Sequence, residues 1–282
     1  MKQKIIPEHQ LTKLIEVIRS ILEVHSIYLI GGQRFQTASV YTFDMNNSTS
    51  EKTKYCLSLI IVSHQHIAVL KEVMNELFTK MDEEVKVYLI PYTLNDLNYR
   101  LTSGDNFLSR ILNTENKLYG VHDLQVTSYC SHPKMYAEIE KQWKARINRA
   151  FYFEEKVNIC DTVYDETAKI LILAEALRQA CLALLYVFWE YKPVYYKLDY
   201  LLNLCIHFCD CPKIIFPKTS FRSHRVYHYF CHAEYLINFK SEDLISLGDS
   251  NYAHQICCLF LTEVNKEGIK KLKELKNMHF KK

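Results

Sequence analysis

The chain of 282 residues is long enough for two domains of ordinary size, each with its own apolar core. Hydrophobic residues make up 49% of it and charged residues 24%, a balance that excludes a wholly disordered protein. The net charge of +3 is too small to indicate a nucleic-acid partner through bulk electrostatics, so such a partner would need a local basic patch.

The cysteines and the apolar segments indicate the cellular compartment of the protein. Ten cysteines are spread along the chain, many of them inside apolar runs, which predicts free thiols in a reducing compartment. Residues 1–4 lead into a polar, amphipathic segment without the apolar core of a signal peptide. Residues 170–189 form the most apolar long window, but Glu175 and Arg178 interrupt it, which favours a buried helix over a membrane span. We therefore expect a cytoplasmic protein without a membrane partner.

The first 130 residues alternate between helical and strand patterns. Apolar residues at helical spacing predict helices at residues 7–25, 67–81 and 94–112. Apolar runs predict strands at residues 27–30, 57–62, 85–90 and 117–122. Pro91 is expected to end the third strand, Gly31-Gly32 to form a tight turn after the first, and the polar segment 33–53 to form a loop. This order predicts a small α/β domain with a mixed sheet over residues 1–130.

From residue 131 onward the pattern is helical. Apolar residues at helical spacing predict helices at residues 134–163, 166–191, 196–209 and 225–239, and a last helix that includes 253–260 and 269–275. Residues 211–220, with two prolines, predict a loop. These helices can bury their apolar faces only against one another, so residues 131–282 should form a helical bundle. The expected fold class of the whole chain is α+β.

Three segments carry a family resemblance. Residues 29–32 read Leu-Ile-Gly-Gly, residues 56–62 read Cys-Leu-Ser-Leu-Ile-Ile-Val, and residues 187–193 read Val-Phe-Trp-Glu-Tyr-Lys-Pro. In this order they resemble bacterial proteins that join a DNA-polymerase-beta-like minimal nucleotidyltransferase domain to a C-terminal HEPN domain. That family has a strand with a Gly-Ser turn, then Asp-x-Asp-Ile-Leu-Val, and later Val-Phe-x-Gly-Tyr-Lys-Pro. The third segment is the most specific similarity.

The resemblance implies a site for nucleotidyl transfer, and this chain departs from it. Such enzymes hold two divalent metal ions with the paired acids and a third acid on the next strand. Cys56 and Ser58 stand at the paired positions, and the next strand offers Lys86 and Tyr88. None of these is a carboxylate, and a lysine would repel a metal ion. We therefore expect no magnesium, no other cofactor and no transfer activity.

The Gly31-Gly32 turn has two interpretations. The family's phosphate-contacting serine is replaced by Gly32, but backbone N–H groups could still face an anion, with Arg34 adding charge. Together with Cys56 and Ser58, these residues are the candidate nucleotide-binding site. The simpler interpretation, which we favour, is a tight turn with no ligand.

The second half offers a different chemistry. HEPN proteins that cut RNA use an Arg followed a few residues later by a His that acts as a general base. Where the family has Ala-Arg-Tyr, residues 233–235 read Ala-Glu-Tyr. Arg222 with His228, and Arg225 with His232, fit the Arg-His spacing and are the candidate catalytic pairs. A basic helix face is the favoured alternative, because such pairs arise easily by chance in this segment.

Other polar side chains are expected to be structural. Four zinc-compatible residues are close in sequence: Cys205, His207, Cys209 and Cys211. Their spacing lacks a second ligand pair and the helical pattern buries them, so we expect a core position and no metal. Glu154 and Glu155 are expected on a solvated helix face.

The sequence therefore favours binding without catalysis. An inactive nucleotidyltransferase-like domain over residues 1–130 and a HEPN-like bundle over residues 131–282 would bind a nucleotide, an RNA or a protein partner. One alternative is a metal-independent HEPN-type ribonuclease. Another is a structural module that associates with itself through the helical bundle.

Overall fold

The computed structural model of the chain describes residues 5–37, 52–122, 124, 136–159, 165–239 and 245–280. The chain divides into two compact units, Met1–Cys130 and Ser131–Lys282. The described residues form a four-stranded mixed sheet with helices in the first unit, and helices in the second. The prediction of an α+β protein with a small mixed sheet is confirmed.

The first unit is built around its sheet. Its described elements in chain order are α1 (Glu8–Ile21), β1 (Val24–Thr37), β2 (Lys52–Ser63), α2 (Leu70–Lys80), β3 (Val85–Thr93), α3 (Leu94–Thr102), α4 (Asn106–Ile111) and β4 (Lys117–Gly120). The strand order is β3-β2-β1-β4, with β2 and β3 parallel and the other pairs antiparallel. The predicted aliphatic strand at 57–62 lies within the central strand β2, where Leu57, Leu59 and Ile61 are fully buried.

The predicted turn at Gly31-Gly32 is wrong, because β1 continues through both glycines to Thr37. Gly31 pairs with Ser58 and Gly32 with Leu57 in the antiparallel ladder, next to a register shift between Leu29 and Gly31. Residues 33–37 of the predicted loop therefore belong to a strand. Residues 38–51 of that loop lie outside the described residues.

Close packing, and not a turn, accounts for Gly32. A Cβ atom at this position would lie 2.5 Å from Leu57 Cδ2 and 2.9 Å from the carbonyl oxygen of Cys56. A side chain would thus collide with the neighbouring strand, and only glycine lets the two backbones approach this closely.

Two other boundaries in the first unit differ from the prediction. Strand β3 runs past Pro91 to Thr93, which is tolerated because β3 is an edge strand whose outer N–H groups have no partner strand in the sheet. The predicted helix at 94–112 is two helices, because Gly104 has a φ of 71° and ends the first. Asp105 then caps α4 by accepting hydrogen bonds from the N–H groups of Phe107 and Leu108.

Among its described residues, the second unit has helices as its regular elements. Its elements are α5 (Tyr136–Ile159), α6 (Glu166–Trp189), α7 (Leu198–Cys205), α8 (Cys211–Ile215), α9 (Phe221–Phe239) and α10 (Leu247–Phe280). Helix α6 packs against α5, α7, α9 and α10. It is the one described helix long and apolar enough to cross a membrane, but 72% of its most apolar window is buried inside the protein. This burial agrees with the predicted core helix.

The helix ends of the second unit were only partly predicted. Helix α6 ends at Trp189 because Glu190 adopts a left-handed backbone with a φ of 56°. The predicted loop at 211–220 contains the short helix α8. The two last apolar segments belong to one helix, α10, of 34 residues. Gly268 inside this helix lies against the ring of Trp143 on α5, where a side chain would not fit.

Candidate functional site

The sheet brings together the positions at which the resemblance places metal-binding acids. Cys56 lies between Gln33 of β1 and Lys86 of β3, and Ser58 lies between Gly31 and Tyr88. Because successive side chains alternate across a sheet, these two rows share one face. The side chains of Cys56, Ser58 and Tyr88 are buried, whereas Lys86 is exposed.

The chemistry of these two rows does not suit a divalent cation. Their six positions hold no carboxylate, and the only formal charge is the ammonium of Lys86, which lies 4.9 Å from the centre of the Tyr88 ring. A positive charge in one of these rows opposes the binding of a metal cation there. The residues therefore do not fit the two-metal site of a nucleotidyltransferase.

The candidate nucleotide-binding residues are divided between two faces of the sheet. Gly32 and Arg34 pair with Leu57 and Tyr55, one residue out of step with Cys56 and Ser58. Strand alternation therefore places the side chain of Arg34 on the face opposite to Cys56 and Ser58. The backbone of Gly31 and Gly32 belongs to the antiparallel ladder and does not form a turn around an anion.

Both candidate arginines of α9 are bound to the start of α10. The guanidinium of Arg225 donates to both carboxylate oxygens of the buried Asp249, at 2.7 Å and 2.8 Å. Arg222 lies 3.3 Å from the same carboxylate and also donates to the carbonyl oxygen of Gly248. The hydrogen bond from Arg225 is the main reason that the pKa of Asp249 is lowered. These arginines therefore fasten one helix to another.

The candidate histidines lie on the exposed side of the same helix. The rings of His228 and His232 stack with their centres 4.0 Å apart, and Nδ1 of His232 lies 3.0 Å from the carbonyl oxygen of His228. Burial lowers the pKa of His228, and the neighbouring His232 and His224 lower it further. All three histidines are exposed.

Neither Arg-His pair converges on one point. A spacing of six residues turns the helix by about 240°, so Arg222 and His228 project in different directions. Arg225 and His232 share a face, but seven residues separate them by roughly 10 Å along the axis. The helix therefore does not assemble either pair into a compact acid-base site.

Glu234, at the family's arginine position, belongs to a polar network that the sequence did not reveal. It accepts a hydrogen bond of 2.8 Å from Arg178 of α6 and another from Lys197. The contact with Lys197 is the main cause of the lowered pKa of Glu234. Arg178 also donates to Glu175, so the network joins α6 to α9.

The four zinc-compatible residues near the end of α7 do not form a metal site. Cys205, Cys209 and Cys211 are buried, as predicted. The ring of His207 stacks on Trp189, and burial lowers its pKa to about 4. Among the described residues, these four are not grouped with their ligand atoms in reach of one ion.

A second cluster of ligand-type side chains lies where α5 packs on α10. Glu154 was predicted to be solvated, but its side chain is only 18% exposed and contacts His254 and Cys258. Glu155, beside it in sequence, is exposed as expected. The sequence signal was the four-residue spacing of His254 and Cys258 on one helix face, which by itself is common.

No protein-family model, no curated protein and no solved structure matches this chain.

Proposed function

We propose that this protein acts by binding RNA without catalysis, through the exposed face of α9. The observation that carries the proposal is the composition of that face. We define it as the stripe of six side chains that share one side of the helix, five exposed and Arg225 half-buried, and none is a carboxylate: Phe221, His224, Arg225, His228, His232 and Tyr235. In this scheme the first unit is a nucleotidyltransferase-like domain that has lost its metal site, and the second is a HEPN-like bundle.

The first unit supports the non-catalytic part of the proposal. Its order of helix, strand, strand, helix and strand agrees with the order that the resemblance implies, although Gly31 and Gly32 belong to β1 and do not form the family's turn. The positions expected to bind metal hold Cys56, Ser58 and Lys86, with the first two buried. A phosphate could not reach them together with Arg34, which belongs to the opposite face of the sheet.

The α9 face has the chemistry that single-stranded RNA requires. Phe221 and Tyr235 are 73% and 51% exposed, and unpaired bases stack on such aromatic rings. They stand about 21 Å apart along the helix, with the histidines and Arg225 between them. Arg225 lies 5.0 Å from the ring centre of Phe221, so a cation and a stacking surface occur side by side.

Two of the described acids near this face are already neutralised. Asp249 is buried beneath Arg222 and Arg225, and Glu234 on the flank of the helix is held by Arg178 and Lys197. Neither of these two carboxylates therefore remains unpaired beside the face. A local cationic and aromatic surface is the kind of patch that the small net charge of the chain requires for an RNA partner.

The ribonuclease alternative uses the same helix, and the Arg-His spacing favours it. Against it stand the engagement of Arg222 and Arg225 by Asp249 and the separation of each pair along the helix. Binding and cleavage are therefore measured in the same experiment.

The test is fluorescence anisotropy with a labelled single-stranded RNA, and gel analysis of the same samples with a chelator present. Phe221→Ala and Tyr235→Ala should each weaken binding by roughly 5- to 150-fold, because stacking of one base contributes about 1–3 kcal/mol. Tyr152→Ala is the matched control, since Tyr152 is 55% exposed on α5 and lies outside the α9 face.

The expected result is intact RNA and unchanged binding by the Tyr152→Ala control. RNA affinity that does not change in Phe221→Ala and Tyr235→Ala would contradict the proposal. Cleavage that His228→Ala or His232→Ala abolishes would favour the ribonuclease. A thermal shift with a nucleotide but not with RNA would instead indicate a nucleotide-binding protein.

A further inference from the structure

A carboxylate, an imidazole and a thiol meet between α5 and α10. Oε1 of Glu154 lies 2.6 Å from Nε2 of His254 and 3.1 Å from Sγ of Cys258. The three ligand atoms all lie within 4.8 Å of one another. Two packed helices therefore present three different metal-ligand atoms to one small volume.

The backbone holds these side chains in place for a common ligand. His254 and Cys258 are four residues apart on α10, so they are neighbours on one face of the helix. Glu154 comes from α5, which packs along α10. The two helices are regular at these positions, so the approach of the three side chains is set by helix packing and not by a loop.

Two of the three distances are close to those of a tetrahedral zinc site. Bonds of about 2.0–2.3 Å from zinc to oxygen, nitrogen and sulfur place neighbouring ligand atoms roughly 3.3–3.7 Å apart. The His254–Glu154 and Cys258–Glu154 contacts would lengthen by less than about 1 Å as coordination replaces hydrogen bonding. Side-chain rotation alone can supply a change of this size.

The donor set selects the kind of metal. A thiolate and an imidazole are ligands that zinc and its neighbours in the first transition row prefer, whereas magnesium and calcium prefer oxygen alone. One thiolate and one carboxylate neutralise a dication, and the imidazole coordinates without charge. When Cys258 coordinates, its S–H proton leaves to solvent, so the site itself ends with no net charge.

We propose that Glu154, His254 and Cys258 form a zinc site with three protein ligands and a fourth position open to water or a small ligand. The side chains of Glu154 and His254 are 18% and 25% exposed, which gives the ion an entry path and leaves room for that fourth ligand. The site does not share a residue with the α9 face, so it stands whether or not RNA binds.

Zinc affinity and stoichiometry of the full chain provide the test. Protein stripped with a chelator and then freed of it should bind one zinc ion per chain in competition with a chromogenic chelator, as confirmed by elemental analysis. Cobalt in place of zinc should give a thiolate-to-metal charge-transfer band and intense visible bands, the signature of four-coordinate cobalt with a sulfur ligand.

Each ligand has a conservative variant, and each variant has a matched control. Cys258→Ser, His254→Gln and Glu154→Gln should each weaken zinc binding by more than about 100-fold, since even loss of an outer-shell partner costs roughly 10- to 100-fold. Cys231→Ser and Glu155→Gln change another partly accessible thiol and the adjacent acid, and should leave affinity unchanged.

Helical circular dichroism identifies any variant that fails to fold. Cys258→Ser replaces sulfur with oxygen at nearly constant shape. It therefore still tests the zinc site if Glu154→Gln unfolds. Loss of the cobalt charge-transfer band in Cys258→Ser but not in Cys231→Ser supports the site. Retention of zinc and of that band in Cys258→Ser, or no zinc binding by the unaltered chain, overturns it.

Discussion

Gly268 shows how one missing side chain sets the distance between two helices. It is buried inside α10, and a Cβ atom there would overlap the ring of Trp143, itself buried on α5. The ring is rigid and surrounded, so it cannot move aside as a flexible side chain would. Helix propensity alone would favour alanine at this position, so the glycine is explained by packing.

We predict that Gly268→Ala destabilises the protein by about 1–3 kcal/mol, the usual cost of an overpacked core. Gly248→Ala is the control in the same helix, because its nearest atoms would lie at 3.6 Å and 3.8 Å and leave room for a methyl group. That variant should be neutral or more stable by up to about 1 kcal/mol. Urea unfolding measures both, and equal stabilities would refute the packing argument.

At the scale of elements, Asp249 joins α9 to α10. Arg222 and Arg225 both reach its buried carboxylate, and its place in the first turn of α10 adds a favourable interaction with the helix dipole. Asp249→Asn keeps the shape but removes the charge. We expect a loss of about 1.5–3 kcal/mol near neutral pH, the range for hydrogen bonds to charged groups.

The stabilising effect of Asp249 depends on pH. The pKa of Asp249 is lowered in the folded protein, mainly by the hydrogen bond from Arg225. Its stabilising effect is therefore complete above the aspartate range of the unfolded chain, about pH 4, and is lost as pH falls through the lower folded value. The difference between the protein and Asp249→Asn should shrink in acid. Asp210→Asn, which removes the exposed partner of Lys213, should change stability by less than about 1 kcal/mol.

The elements also show how far sequence patterns reach. The strand at 57–62 and the core helix α6 were predictable, because long apolar runs are stable only when they are buried in a core. The continuation of β1 through Gly31-Gly32 was not, because glycine is equally suited to a turn and to close strand packing. The prediction that the third strand ends at Pro91 was wrong for a similar reason. Whether proline ends a strand depends on whether that strand lies at the edge of the sheet.

The functional residues were less predictable than the elements. Arg222 and Arg225 could be named from their spacing, but their shared partner Asp249 is more than twenty residues away in sequence. Glu154 and His254 are 100 residues apart and meet only because α5 packs on α10. Contacts between helices that are distant in sequence depend on the tertiary fold. The spacing of apolar residues within one helix does not predict them.

For the whole molecule, the net charge of +3 limits how RNA can be held. Bulk attraction is small, so affinity should depend on the few cations of the α9 face. At pH 8 His228, whose pKa is lowered by burial and by its histidine neighbours, is neutral, and Arg225 is largely paired with Asp249, which leaves about one or two phosphate contacts. The slope of log affinity against log salt should then be only about −0.7 to −1.4.

Protonation of His228 should steepen that slope by up to about 0.7, because a protonated histidine adds about one phosphate contact. Burial and the two neighbouring histidines lower the pKa of His228, so the change should come at a pH below the ordinary histidine range. The change should be smaller in His228→Ala. Anisotropy titrations across a salt series at several pH values measure it, and a slope of the unaltered protein that does not change with pH would place the RNA contacts away from His228.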